Sequence, residues 1–396
     1  MTLMTQVVTK DFLKDVLKKH LKCDISISSI DVKDLVAAGN NYTTQLKRVA
    51  ITYSTQKEEN RVLSVIVKCF PETETQAKFV KEMNLFDCEV EVYNEVMPKF
   101  FSLVYREKIA PRLYYSSTHP QPMLLLEDLS ALNYRGVERK YGLDLEHCLL
   151  VVEKLAYLHA ASVILQEQDS TIFQSFDTIV YPKTGITGDL VTLSYNKVVE
   201  ICGKVEELQP YANKIKAAKE HVFEKMYNVH HIASKFKVLN HGDCWINNIL
   251  FCYENGRVTD LRFVDFQNSC YTSPCLDLHF FLSCSLKYDI RDQKDAIINH
   301  YFKHLLKILG KLHIEKFPNR EEFDNDFRSM GYMGFVTSIP TLCFAKANKG
   351  DSASLENFVM DNEKHGFRYH CFNNDDYLKE MAYFLPLYDS LGTFYA

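Results

Sequence analysis

From Lys10 onward the apolar residues keep two rhythms. Phe12, Leu13, Val16, Leu17 and Leu21 recur three and four apart, which predicts an amphipathic helix over 9–22 with a lysine-rich, solvated outer face. Two β-branched runs follow, QLKRVAITYS and RVLSVIVKCF, and read as strands, the second ended by Pro71. AKFVKEMNLFDCEVEVYNEVM returns to helical spacing, and MLLL at 123–126 reads as a short buried strand. The order so far is strand, strand, helix, strand. From Leu143 the character changes. LDLEHCLLVVEKLAYLHAASVIL predicts a long apolar helix, and a second helix is expected near 211–236. Strand-like ILF and LRFV then flank YENGRVTD, whose Asn255-Gly256 is a hairpin turn signal. Helical patterns run on from CLDLHFFLSCSL through AIINHYFKHLLKIL. The expectation is an α+β chain of two lobes. Residues 1–127 carry an antiparallel sheet and one main helix; residues 128–396 are larger, mostly helical, and hold the hairpin. The boundary is placed between Glu127 and Ser130.

The polar residues gather where this pattern should bury them. NHGDCWINNILF, Asn240 to Phe251, contains the chain's one tryptophan and reads H-x-D-x-x-x-x-N with His241, Asp243 and Asn248. Asp265, in FVDFQ, lies 17 residues beyond Asn248. The predicted hairpin would set Asn248 and Asp265 side by side as two oxygen ligands of the kind Mg²⁺ takes. Asp243, on the loop entering the hairpin, is then placed to accept a proton from an incoming hydroxyl. Taken singly, Asp243 reads equally well as a turn cap and Asn248 as a strand end. The two with Asp265 at hairpin distance form a base, a metal pair and a rigid platform, the parts that kinase-type phosphoryl transfer uses. His241 is read as holding the loop by hydrogen bonds, Trp245 as packing, and Asn247 is left open.

The first half offers the remaining parts. Lys68 is a charge inside the apolar run VIVKC, where phosphoryl-transfer enzymes place a lysine on the α/β-phosphates, paired with a helix glutamate. Phe86, Glu89 and Tyr93 share helical spacing, so Glu89 is preferred over Glu91 as that partner. LLLEDL suits a hinge at which the backbone C=O of Glu127 and N–H of Leu129 meet adenine. Only 11 residues separate Asp265 from Asp277, too few for a platform that seats a peptide. A small acceptor is expected instead, walled by the aromatic C-terminal third.

Composition narrows the setting. The 396 residues are 46% hydrophobic and 24% charged with a net charge of −5, which gives no basic excess for nucleic acid or an anionic membrane. Twelve scattered cysteines form no C-x-x-C pair, so zinc-site spacing is absent and free thiols in a reducing compartment are expected. The N-terminus lacks the apolar core of a signal peptide. The most apolar stretch, CLLVVEKLAYLHAASVIL, is interrupted by Glu153 and Lys154, so no membrane span is expected. The cytoplasm is the default, and no protein partner is evident.

LLLEDL, EKLAYLHAAS, HGDCWINNILF and FVDFQNSCYTSPCLDLHFFL, in this order and spacing, resemble the ecdysteroid kinase-like family of insects, related to the choline kinase-like and aminoglycoside phosphotransferase-like small-molecule kinases. The resemblance runs from about residue 30 to 390. It implies a protein-kinase-like fold, with an N-terminal nucleotide-binding lobe and a C-terminal catalytic and acceptor-binding lobe. It implies ATP and Mg²⁺ as cofactors and a small-molecule alcohol as substrate, an ecdysteroid or a dietary toxin. By the same resemblance Asp243 is the catalytic aspartate, Asn248 and Asp265 the metal ligands, Lys68 the phosphate lysine and Glu89 its partner. Asp277, in CLDL, braces the catalytic loop. The phosphate loop departs from the three-glycine pattern: AAGNNYTTQLKRV offers Gly39 and Asn40 only. Cys244 stands where an aliphatic residue is expected. A kinase of choline or another polar metabolite, and a ligand-binding pseudokinase, remain as alternatives.

Overall fold

The computed structural model describes residues 8–35, 44–103, 108–177, 182–314, 317–348, 354–360 and 366–395. Gly39 and Asn40 lie outside them. Helix α1 (Lys10–Leu21) begins at Thr9, whose side chain accepts the Phe12 N–H, and buries Leu13, Val16 and Leu17. Strands β1 (Ile25–Asp34), β2 (Gln45–Thr55) and β3 (Arg61–Cys69) follow, then β4 (Leu113–Ser117) and β5 (Met123–Glu127). They form one antiparallel sheet in the order β1-β2-β3-β5-β4. The twofold alternation along a strand divides its side chains between two cores. Val65 and Val67 of β3 and Leu125 of β5 pack under α1, while Ile66, Leu124 and Leu126 face the rest of the molecule. Lys68, one position from Val67, shares that inner face.

The main helix of this half is not continuous. Asn84 takes a left-handed conformation, φ 52°, and divides α2 (Glu74–Glu82) from α3 (Leu85–Glu91). A single π-helical turn, Val92–Val96, then leads into α4 (Met97–Leu103). Strands β1 and β4 were not expected. Most of β1 is exposed at the sheet edge, so its residues carry no core pattern to read.

After β5 the chain turns through Leu129–Leu132 and the short strand β6 (Tyr134–Arg135) into α5 (Leu145–Gln168). By length and composition α5 passes as a membrane span, but 72% of its most apolar window is buried inside the protein, as in a core helix. Helix α6 (Gly185–Lys204) was not expected, and the single helix expected near 211–236 is two, α7 (Gln209–Lys219) and α8 (Val222–His230). Strand β7 (Val238–Asn240) leads to the polar loop, and β8 (Ile249–Glu254) and β9 (Arg257–Phe263) form the hairpin. Asn255 and Gly256 turn it with φ of 51° and 81°, as the sequence requires of a tight primed turn. Strand β10 (Cys270–Thr272) pairs with β7 and delivers the chain to α9 (Cys275–Cys284) and α10 (Lys294–Lys311). Six further helices close the lobe: α11 (Arg320–Ser329), α12 (Gly331–Ser338), α13 (Pro340–Lys346), α14 (Leu355–Met360), α15 (Phe367–Phe372) and α16 (Asp375–Ser390). The whole is the two-lobed, protein-kinase-like arrangement, a sheet lobe over a larger helical lobe. All twelve cysteines are free and eight are buried.

Candidate active site

The loop between β7 and β8 is clamped by one buried carboxylate. Asp277, in the first turn of α9, accepts the His241 N–H at 2.7 Å and the Gly242 N–H at 2.9 Å. His159 of α5 approaches the same carboxylate, Nε2 to Oδ2 3.1 Å, while the Tyr301 hydroxyl of α10 lies 2.7 Å from His159 Nδ1. A tyrosine O–H donating to Nδ1 leaves the proton on Nε2, facing the carboxylate, so three helices converge on the loop through Asp277. His241 is itself an anchor. Its Nε2 is 3.0 Å from the Val264 carbonyl, and its Nδ1 receives the Asp243 N–H at 3.3 Å. Burial holds its pKa below the ordinary value. Gly242 sits at φ +79°, and a Cβ there would lie 1.7 Å from the Asn268 carbonyl oxygen, so only glycine fits.

Asn248 ends the loop. Its Nδ2 donates to the Asp243 carbonyl oxygen at 3.0 Å and to Asp243 Oδ2 at 2.9 Å. Its amide oxygen therefore points away from Asp243. The Val264 N–H bonds the Asn248 carbonyl at 3.0 Å, which brings Asp265 next to Asn248 at the open end of the hairpin. Asp265 adopts φ 70°, a conformation uncommon outside glycine and one that functional sites retain. Burial, reinforced by the charge of Asp265, pushes the Asp243 carboxyl up to about 7, with the Asn248 hydrogen bond opposing.

Lys68 reaches down from β3 into this group. Its Nζ is 2.5 Å from Glu89 Oε2 and 2.6 Å from Asp265 Oδ1, with Lys68 and Glu89 both buried. The contact with Glu89 is a close ion pair. Burial alone would lower the ammonium, but the charges of Asp265 and Glu89 outweigh it and hold Lys68 above its usual range. Burial is also the main cause that raises Glu89, against the pull of Lys68. Glu91 is turned elsewhere and accepts from Ser175.

These groups open onto one cavity of about 720 Å³. Its lining runs from Ile66 and Lys68 past Glu127, Leu129, Asp243, Asn248 and Asp265, and takes in Leu190, Trp245, Phe344 and Leu355 as well. Trp245, read as packing, is 7% exposed and also faces the cavity. Asn247 lines it with a buried Nδ2 that has no hydrogen-bond partner. The amide oxygen of Asn248 and the carboxylate of Asp265 form a hard-oxygen pair suited to Mg²⁺ and unsuited to softer metals.

One group escaped the sequence. Asp128 accepts from Arg48 Nε at 2.7 Å and Ser64 Oγ at 2.6 Å, and from the Ser130 N–H and hydroxyl. It thereby ties β2 and β3 to the chain leaving β5. The signal was present in E-D-L-S, where an aspartate two residues before a serine favours such a turn. The reach to Arg48 and Ser64 was not.

Residues 38–314 match the model of the ecdysteroid kinase-like family. Among curated proteins none matches. Among solved structures the chain is similar to an ethanolamine kinase from Plasmodium vivax, at 12% identity over 92% of this chain and 83% of that one, TM-score 0.43. It is also similar to a choline/ethanolamine kinase family protein from Mesorhizobium loti, at 10% identity over 92% of each chain, TM-score 0.42. Likenesses this loose carry nothing about activity. The family match covers well over half of the sequence and takes in Lys68, Glu89, the Asp243 loop, the hairpin and Asp277, and the chain belongs to the ecdysteroid kinase-like family.

Proposed function

We propose that the chain transfers the γ-phosphate of ATP to a hydroxyl of a small, largely apolar molecule, with ecdysteroids first among the acceptors. One observation supports this above the rest. Lys68, Asp243, Asn248 and Asp265 share a cavity with the apolar side chains of Leu190, Trp245, Phe344 and Leu355. A cation, a half-buried carboxylate and a hard-oxygen pair thus adjoin an apolar surface in one space.

In this reading the acceptor oxygen forms its bond to the γ-phosphorus as the bond to the bridging oxygen breaks and ADP departs. The proton of the acceptor hydroxyl passes to the Asp243 carboxylate. Lys68, positioned by Glu89, holds the α/β-phosphates. Mg²⁺ at Asn248 and Asp265 would supply neutralisation of phosphate charge. Glu127 and Leu129 are the proposed adenine contacts through their backbone, and Gly39 and Asn40 the proposed phosphate-loop contacts. Asp277 and His241 hold the loop. The residue ranges 1–127 and 128–396 are the corresponding nucleotide and acceptor lobes. Twelve free cysteines favour a reducing, cytoplasmic setting, in which the reaction would inactivate a hormone or detoxify a dietary compound.

Purified protein with ATP and Mg²⁺ should be offered ecdysteroids, plant phenolic glycosides and choline, with products read by mass. The expected result is a phosphorylated ecdysteroid from the natural chain and none from Asp265→Asn. Phosphorylated choline alone would establish the polar-metabolite reading. Nucleotide binding without transfer to any acceptor would establish a pseudokinase.

A further inference from the structure

Far along the chain from the phosphoryl-transfer residues, α5 and α10 bring three metal-ligating side chains together. Glu153 lies on α5, and His300 and His304 lie one turn apart on α10. Among the described residues this is the one group of three histidine, cysteine or acidic side chains whose ligand atoms all fall within 4.8 Å of one another. His300 Nε2 is 2.6 Å and His304 Nε2 3.5 Å from the same oxygen, Glu153 Oε1. All three side chains are partly exposed, at 27%, 21% and 33%, so an ion in solution reaches them.

The tautomer of His304 makes this more than a crowding of polar groups. Its Nδ1 is 3.0 Å from the His300 carbonyl oxygen. A carbonyl only accepts, so Nδ1 carries the ring proton, and in the neutral ring Nε2 presents a bare lone pair toward Glu153. A lone pair facing a carboxylate oxygen is repulsive unless a proton or a metal ion stands between them. A ring N–H given to a backbone carbonyl is also what orients a metal-bound histidine. The i, i+4 spacing of the histidines places both rings on one helical face, the spacing by which a helix supplies two ligands to zinc. Ligand atoms around a tetrahedral zinc ion, each bonded at about 2.0–2.2 Å, stand roughly 3.4 Å apart. The 3.5 Å between His304 Nε2 and Glu153 Oε1 already matches that spacing, while His300 Nε2, hydrogen-bonded to the same oxygen at 2.6 Å, has to draw back and give up its proton to admit the ion.

We propose that Glu153, His300 and His304 form a binding site for Zn²⁺ that bridges α5 and α10, with a fourth position left to water. Two imidazoles and one carboxylate suit zinc far better than Mg²⁺, so the site is chemically separate from Asn248 and Asp265. Bridging the two helices fixes their register. The residue after His300 is Tyr301, whose hydroxyl meets His159 of α5 and through it Asp277. The ion would therefore brace the pair of helices that supports the catalytic loop.

The test uses the full chain, stripped of metal and held in millimolar Mg²⁺ so that oxygen-donor sites are occupied. Zn²⁺ is then titrated against a chromogenic chelator, and thermal unfolding is followed in parallel. The expected result is one zinc equivalent per chain that raises the melting temperature. Loss of one ligand, in His304→Ala or Glu153→Gln, should weaken that equivalent by more than the roughly 100-fold cost of losing an outer-shell partner. Co²⁺ in place of Zn²⁺ should give the visible bands of a nitrogen–oxygen site without a thiolate charge-transfer band. Equal zinc affinity in the natural chain and His304→Ala, or a thiolate band, would overturn the assignment. So would a zinc equivalent that leaves the melting temperature unchanged. His300→Ala, tested alone, provides a second variant should one of the others fail to fold.

Discussion

Asp243 and Asn248 are bound to each other, and that restricts what either does. Asn248 Nδ2 holds Asp243 Oδ2 at 2.9 Å, so one carboxylate oxygen is fixed and the other is left to act. Asp243→Asn keeps the shape and removes proton acceptance. The expected outcome is a fall in kcat of about 10²–10⁴, the usual yield of a positioned base, with nucleotide Kd nearly unchanged. Parallel turnover and nucleotide-binding measurements check it; a collapse of affinity with kcat intact would make Asp243 a binding residue. Lys68 invites a different measurement because it touches two carboxylates. Lys68→Met should abolish nucleotide use, and Glu89→Ala should do so less severely. In the double variant the two losses should fall short of adding, by at least about 0.5 kcal/mol in the transition-state free energy. Additive losses would mean that Glu89 does not position Lys68. Lys68→Met unpairs the buried Glu89, whereas Glu89→Ala leaves Lys68 its contact with Asp265, so unfolding by urea must accompany the kinetics.

At the scale of elements, the loop that carries Asp243 is held from outside itself. Asp277 on α9 accepts two loop N–H groups and faces His159 of α5, which faces Tyr301 of α10. Asp277→Asn leaves the volume but replaces one accepting oxygen with an N–H₂ group that opposes a loop N–H. Hydrogen bonds to charged groups contribute about 1.5–3 kcal/mol each, so kcat should fall at least tenfold and stability by about 2 kcal/mol. KM for ATP should move less than kcat, as it would for a residue acting only through loop position. Unchanged kcat with the same stability loss would leave Asp277 a fold residue alone. The sequence shows part of this assembly and hides the rest for a physical reason. The loop, the turn and Asp265 lie within one short stretch, and Asn255-Gly256 sets their register, so their meeting is local and legible. Asp128 meets Arg48 and Ser64 across 80 and 64 positions, through strand pairings that no single segment encodes. Strand β1 is mostly exposed and α6 has no sharp apolar stripe, so neither has the periodicity by which an element is read. The break at Asn84 is equally silent, because an asparagine within a helical pattern signals a left-handed residue only once the packing demands it.

For the molecule as a whole, the cost of burying neutral histidines is one part of its response to acid. His279 lies under α11, its Nε2 2.6 Å from the Phe327 carbonyl and its ring stacked on Phe327 at 4.0 Å. Burial lowers its pKa to about 4, and burial likewise lowers His230 to about 3. A histidine in the unfolded chain takes up its proton near pH 6.5, whereas these stay neutral in the fold until far lower pH. Between those values the unfolded state binds more protons, so the stability they contribute is complete above about pH 6.5 and is lost as the pH falls toward 4. Each costs about 2 kcal/mol by pH 5. Glu89 and Asp243 act in the opposite sense over an overlapping range, because their raised pKa values make the folded state the better proton acceptor. The net slope is therefore a contest, and the informative quantity is the difference between variant and natural chain. His279→Gln retains an N–H for the Phe327 carbonyl but does not titrate. It loses the ring stacking at every pH, a constant offset. Urea unfolding at pH 7.5 and pH 5 should show the variant losing about 2 kcal/mol less than the natural chain between the two. Parallel losses would mean that His279 is protonated in the fold or already neutral at pH 5 when unfolded, and the acid response would have to come from elsewhere in the molecule.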